Sequence, residues 1–144
     1  MMLHANCVDF DGAGVLILGK SGSGKSDLTL RLTDAGAVLV ADDCVRLVEK
    51  KDGRTVAFAP EKARGLMEIR GLGIVKAKFK KKTVLKLKVC LCSFDEIDRM
   101  PTEFADAVTK GEVPVLKINA FDVSAAAKIK TALAVISGKN GLVS

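Results

Sequence analysis

From Leu3 to Phe10 apolar residues outweigh polar ones, Asp11-Gly12 is a strong turn pair, and Ala13 to Leu18 is wholly apolar. Two strands joined by a tight turn are predicted, so a hairpin opens the chain. Lys25 to Ala35 then carries Leu28, Leu32 and Ala35 at helical spacing and stops at Gly36, the residue type that most easily takes the left-handed helix end. Ala37 to Ala41 is a short continuous apolar run, as expected of a buried strand, and it ends abruptly in two carboxylates, Asp42 and Asp43. Val45 to Val48 and Thr55 to Phe58 flank Lys51-Asp52-Gly53-Arg54 as a second hairpin, closed by Pro60. Ile69 to Phe79 and Thr83 to Cys92 read as further strands. Polar and acidic residues around Pro101 make Phe94 to Lys110 loop and short helix. Val113 to Ile118 reads as a strand, and Val123 to Ser137 as a helix with Ile129, Leu133 and Ile136 on one face before Gly138. No internal repeat or linker interrupts this order. Strands outnumber helices, which predicts an α/β fold with a mixed sheet and not a regularly alternating one.

Composition narrows the class. The 144 residues are one domain's worth, and 49% hydrophobic with 28% charged residues excludes wholesale disorder and collagen-like repeats. One hydrophobic core is expected. No apolar run approaches the roughly eighteen residues that span a bilayer, and Met1-Met2-Leu3-His4 resembles no leader, so no membrane and a cytoplasmic setting are expected. Cys7, Cys44, Cys90 and Cys92 fit no metal-site spacing and read as free buried thiols. The net charge of +6 would favour phosphates, acidic proteins or nucleic acid. Lysines at 76, 78, 80, 81, 82, 86 and 88 concentrate it; a solvated strand edge protected against aggregation accounts for them, with an acidic docking surface as the functional alternative. Without Tyr or Trp, and with six Phe, stacking platforms for nucleic acid are scarce, so no nucleic-acid partner is expected.

One motif carries chemistry. Gly19-Lys20-Ser21-Gly22-Ser23-Gly24-Lys25-Ser26 satisfies G-x-x-x-x-G-K-[ST], between a predicted strand and a predicted helix. The glycines let backbone N–H groups curl around phosphate oxygens, at a helix N-terminus whose free donors favour an anion. Lys25 is placed to neutralise β- and γ-phosphates, and the Ser26 hydroxyl to ligate Mg²⁺. Asp42-Asp43, soon after the helix, supplies carboxylates for a metal or a proton. Solvated turn residues are the plainer reading of such a pair.

His4, this loop, Ala41-Asp42-Asp43 and Met67-Glu68-Ile69-Arg70-Gly71-Leu72-Gly73-Ile74-Val75 follow the order and approximate spacing of the bacterial HPr kinase/phosphorylase family. The chain resembles that family's C-terminal catalytic domain alone over essentially its whole length, without the N-terminal regulatory domain. The resemblance implies a P-loop-containing kinase fold like those of HPr kinase and phosphoenolpyruvate carboxykinase. It implies an ATP- and Mg²⁺-dependent kinase acting on a serine of HPr, the phosphocarrier of the sugar phosphotransferase system, with reversal by phosphorolysis in many members. The loop from Gly19 to Ser26 would bind nucleotide, and Ser26, Asp43 and Glu68 the metal. Asp42 is favoured as the base that takes the serine proton. His4 resembles the family's catalytic histidine, and Arg99, within Asp98-Arg99-Met100, its phosphate-contacting arginine, although an isolated His or an exposed Arg is as readily structural. Departures are also visible. The span between Glu68 and Arg99 is short, Asp27 replaces the usual Glu, and Val113-Pro114-Val115-Leu116-Lys117-Ile118-Asn119 lacks the glycine and arginine of the family's dephosphorylation loop. Kinase activity is therefore expected more firmly than phosphorylase activity, and a homo-oligomer like the family's hexamer is the expected assembly. A small-molecule kinase or ATPase, and a nucleotide-sensing or nucleic-acid-binding module, are the alternatives.

Overall fold

A computed structural model describes residues 1–143. The opening hairpin forms as predicted: β2 (Asn6–Phe10) and β3 (Ala13–Leu18) pair antiparallel. Its turn has φ of +50° at Asp11 and +93° at Gly12, the two positive values that a strand-matched two-residue turn requires. The predicted Leu3–Phe10 strand, however, changes partners. Its first residues, β1 (Met2–Leu3), pair with β5 (Val45–Glu49), and His4 and Ala5 cross between the two pairings.

α1 (Lys25–Asp34) buries Leu28 and Leu32, and β4 (Val38–Ala41) follows it; β5 then pairs antiparallel with β6 (Thr55–Phe58). The predicted strand from Ile69 to Phe79 does not exist as one piece. The chain there folds into a small hairpin, β7 (Leu66–Ile69) with β8 (Gly73–Lys76), turning at Gly71 with φ +87°. Two glycines inside an apolar run supply that turn, and the run's apolar character goes unburied: Leu72 and Ile74 are each 73% exposed.

β9 (Lys82–Leu91) is the second correction. It is an interior strand with β3 on one side and β6 and then β10 (Val115–Ile118) on the other, so its lysines do not blunt an edge. α2 (Thr102–Lys110) and α3 (Ala125–Ile136) complete the fold. Among the described residues no helix is long and apolar enough to cross a membrane.

The main sheet runs β1-β5-β6-β9-β3-β2-β4, with β10 also on β9. β3, β9 and β10 are mutually parallel. β4 points the same way, because it and β3 are both antiparallel to β2. Four strands therefore deliver their carboxyl ends, and β2 its amino end, to one edge of the sheet, where open α/β sheets place ligands. Val8, Val15, Ile17, Leu87 and Val89 pack with Leu28, Leu32, Ile129 and Phe104 in one cluster. Smaller residues, including Ala5, Cys7, Val40 and Ala57, pack in a second cluster with Leu16 and Leu85. Of the four free cysteines only Cys7 is buried, and burial pushes its thiol pKa up, leaving it inert; Cys44, Cys90 and Cys92 are half-buried.

Asp9 is a buried carboxylate in β2. It accepts hydrogen bonds from Thr83 Oγ1 (2.5 Å), the Gly12 N–H (2.8 Å) and Lys80 Nζ (3.1 Å), tying three segments together. Desolvation raises its pKa, but these donors outweigh that and hold it below the ordinary carboxylate value. A depressed folded-state value stabilises the fold above the ordinary range and ceases to as pH falls through it. The gap in urea midpoint between wild type and Asp9→Asn should therefore be widest at pH 7 and close below about pH 4. A gap constant down to pH 2 would contradict this account.

Candidate functional site

The converging strand ends set the geometry. β3 runs straight into the glycine loop, and Gly24, in the left-handed region at φ +98°, precedes α1. A Cβ on Gly24 would lie 2.7 Å from Ala120 Cβ and 3.3 Å from the Phe121 ring, so the segment after β10 presses on the loop and only glycine fits. Lys25 Nζ folds back to donate to the carbonyls of Gly19 (2.8 Å) and Lys20 (3.1 Å), and Ser23 N–H bonds the Lys20 carbonyl at 3.0 Å. The loop is thus formed, with its lysine held by carbonyls that an anion can replace.

β4 brings in the two acids, and a tight turn separates them. Cys44 N–H bonds the Asp42 carbonyl at 2.8 Å, with Asp43 at the apex at φ +66°, a left-handed conformation that Asp tolerates better than most residues. Asp42 faces the glycine loop: its Oδ1 accepts from Ser26 Oγ at 3.2 Å and Asn6 Nδ2 at 2.7 Å, and its Oδ2 from the Glu68 backbone N–H at 2.9 Å. Asp43 Oδ1 lies instead 3.5 Å from His4 Nδ1. Both members of that pair are largely exposed, so it contributes little stability; its interest is its position.

Asn6 joins these groups. It is fully buried on β2, its Nδ2 donates to Asp42 Oδ1 and to Thr29 Oγ1 (2.9 Å) on α1, and its Oδ1 accepts the Asp43 N–H at 3.1 Å. Sequence reasoning passed over it. The signal was its type, since Asn is depleted in strands and a polar residue amid apolar strand positions needs a partner.

His4, Lys25, Ser26, Asp42 and Asp43 are thus brought to one edge, and Glu68 joins through its backbone. The Glu68 side chain makes no hydrogen bond among the described residues. Arg99 lies in the exposed bend before α2, likewise without a hydrogen bond or ion pair among the described residues. No group of three or more His, Cys, Asp or Glu among the described residues is arranged to hold a metal alone. A hydroxyl and one carboxylate beside a phosphate loop, Ser26 and Asp42, suit a cation held mainly by substrate phosphates and water, the usual habit of Mg²⁺.

A parallel strand entering a glycine loop and helix, with acids delivered from the next parallel strand, defines an α/β domain of the phosphate-loop kind. The family model for the HPr Serine kinase C-terminal domain matches residues 1–139, and the chain belongs to that family. The HPr kinase/phosphorylase of Geobacillus sp. (strain WCH70) is 52% identical over 73 residues, 51% of this chain and 24% of that protein. That of Bacillus subtilis (strain 168) is 51% identical over a stretch of the same length and coverage. That of Lactobacillus johnsonii is 40% identical over 100 residues, 65% of this chain and 31% of that protein. The aligned stretches thus span a quarter to a third of these relatives' length. A solved structure, the Hpr(Ser) kinase/phosphatase from Coxiella burnetii, has the same fold, with a TM-score of 0.78 at 24% identity, over 96% of this chain and 92% of that one.

Proposed function

We propose that this chain transfers the γ-phosphoryl group of ATP to a serine hydroxyl of HPr. The observation that carries the reading is the Ser26–Asp42 contact at the end of the glycine loop, with the His4–Asp43 pair on the neighbouring turn. Family membership points the same way.

The loop amides from Gly22 to Ser26 and the Lys25 ammonium would hold the β- and γ-phosphates, once Lys25 exchanges its two loop carbonyls for phosphate oxygens. Ser26 and Asp42 would hold Mg²⁺, which supplies charge neutralisation on the phosphates. Asp42 Oδ1 shares a hydrogen bond with the Ser26 hydroxyl, the group expected beside the metal, and its other donors fix it there. Asp43 has no hydrogen bond to Ser26 among the described residues and has His4 beside its carboxylate. The geometry thus supports exchanging the roles expected from sequence: Asp43 is the base, with His4 positioning its carboxylate, and Asp42 is the acid on the metal side. The serine oxygen bonds to phosphorus as its proton passes to Asp43; the β–γ bridging P–O bond breaks and ADP leaves. Arg99, on its exposed bend, is the arginine that the family resemblance offers for the transferring phosphoryl group. Reversal by inorganic phosphate would return the proton from Asp43. Val113 to Asn119, the run that includes β10, lacks the glycine and arginine of the family's dephosphorylation loop, so the forward reaction dominates in this proposal.

The test incubates the protein with Mg²⁺, labelled ATP and HPr. Acid-stable phosphoserine on HPr is expected, with little recovery of free HPr when phosphate is added afterwards. ATP turnover without an acceptor would instead support a small-molecule kinase or ATPase, and label on histidine would exclude the proposed chemistry.

A further inference from the structure

Phe121 is 67% exposed, yet its backbone is held from several sides. Its N–H donates to Asn119 Oδ1 at 2.9 Å, and Asp122 N–H closes the surrounding turn onto the Asn119 carbonyl at 3.1 Å. Asn119 Nδ2 anchors that turn to the Cys92 carbonyl at 3.1 Å, and the Arg31 guanidinium on α1 donates to the Ala120 carbonyl. The backbone that carries this exposed apolar ring is therefore held in place. It also borders the glycine loop: the space where a Gly24 Cβ would stand is 3.3 Å from Phe121 Cζ and 3.6 Å from Cε1. β10 is parallel to β3 and separated from it only by β9, so Phe121 lies at the carboxyl edge where the loop opens.

We infer that Phe121 is the stacking platform for the nucleobase of the nucleotide whose phosphates the Gly19–Ser26 loop holds. A lone exposed aromatic is unremarkable on a surface. One carried on a hydrogen-bonded turn at the border of the phosphate loop has a specific use, because a base tethered to those phosphates through its ribose needs a flat apolar surface nearby. Every base has a π-face, so the platform serves purine nucleotides without choosing among them and leaves a base-free polyphosphate indifferent. This rests on the loop binding nucleotide, as proposed above.

The experiment titrates Mg·ATP, Mg·GTP and Mg·tripolyphosphate into wild type, Phe121→Ala and Phe121→Trp. Phe121→Ala should weaken ATP and GTP by about 5- to 100-fold and tripolyphosphate by less than about twofold. Phe121→Trp should retain nucleotide affinity and, as the only indole in a chain without Trp or Tyr, lose fluorescence on ATP binding but not on tripolyphosphate binding. Equal loss for all three ligands, or none, overturns the platform while leaving the loop's role intact. Phosphorylation of HPr lost at unchanged ATP affinity overturns it in favour of a protein contact. If wild type binds neither ATP nor tripolyphosphate, the loop reading falls and takes this inference with it.

Discussion

Asp43→Asn is expected to slow transfer to the serine acceptor by about 10²- to 10⁴-fold, the usual contribution of a positioned general base, while nucleotide affinity stays near wild type. The reason is geometric. Asp43 sits at the apex of a tight turn with its carboxylate beside His4 and without a hydrogen bond to the glycine loop among the described residues, so an amide there removes a proton acceptor without disturbing the phosphate cradle. Asp42→Asn should behave differently. It places an amide where Ser26, Asn6 and the Glu68 N–H all donate, so one of its positions becomes a donor facing donors. Nucleotide affinity in the presence of Mg²⁺ should fall together with the rate. Initial rates and nucleotide titrations on the two variants separate the acids. Normal nucleotide binding with no transfer in Asp42→Asn, beside an active Asp43→Asn, would restore the opposite assignment.

That two adjacent acids serve different partners was not legible in the sequence. Asp42-Asp43 announces charge at a strand end, but only the turn closed by Cys44 N–H on the Asp42 carbonyl decides which carboxylate faces Ser26. The glycine loop was legible because its conformation is local, written into glycines and the lysine that follows them. The opening hairpin was legible for the same reason, since Asp11-Gly12 selects the turn and the turn selects the register. Pairing between distant strands was not. Nothing in Lys82 to Leu91 says that β3 and β10 flank it, and its lysines mimic the blunted edge strand that it is not. The run from Ile69 to Phe79 misled through its apolar content. Gly71 and Gly73 lie within it, and the turn they allow outweighs strand propensity where, among the described residues, no third strand pairs with the hairpin.

Asn6→Ala should lower stability by about 2–4 kcal/mol and slow transfer well beyond any loss of folded protein. Fully buried, its side chain makes three hydrogen bonds that link β2 to α1 and to the turn after β4. Alanine leaves the Asp43 N–H without its acceptor, Asp42 and Thr29 without a shared donor, and a cavity behind all three. Asp42 would keep Ser26 and the Glu68 N–H, so the phosphate loop should persist and tripolyphosphate binding change little. The turn that carries Asp43 would keep its own closure by Cys44 N–H on the Asp42 carbonyl but lose the Asn6 amide that ties the Asp43 N–H to the sheet. The defect should therefore appear in kcat more than in nucleotide affinity, measured where urea titration shows the variant folded. Reduced stability with a wild-type kcat would mean that Asn6 packs the sheet without positioning the base, and the link drawn here between the buried amide and the exposed carboxylate would be wrong.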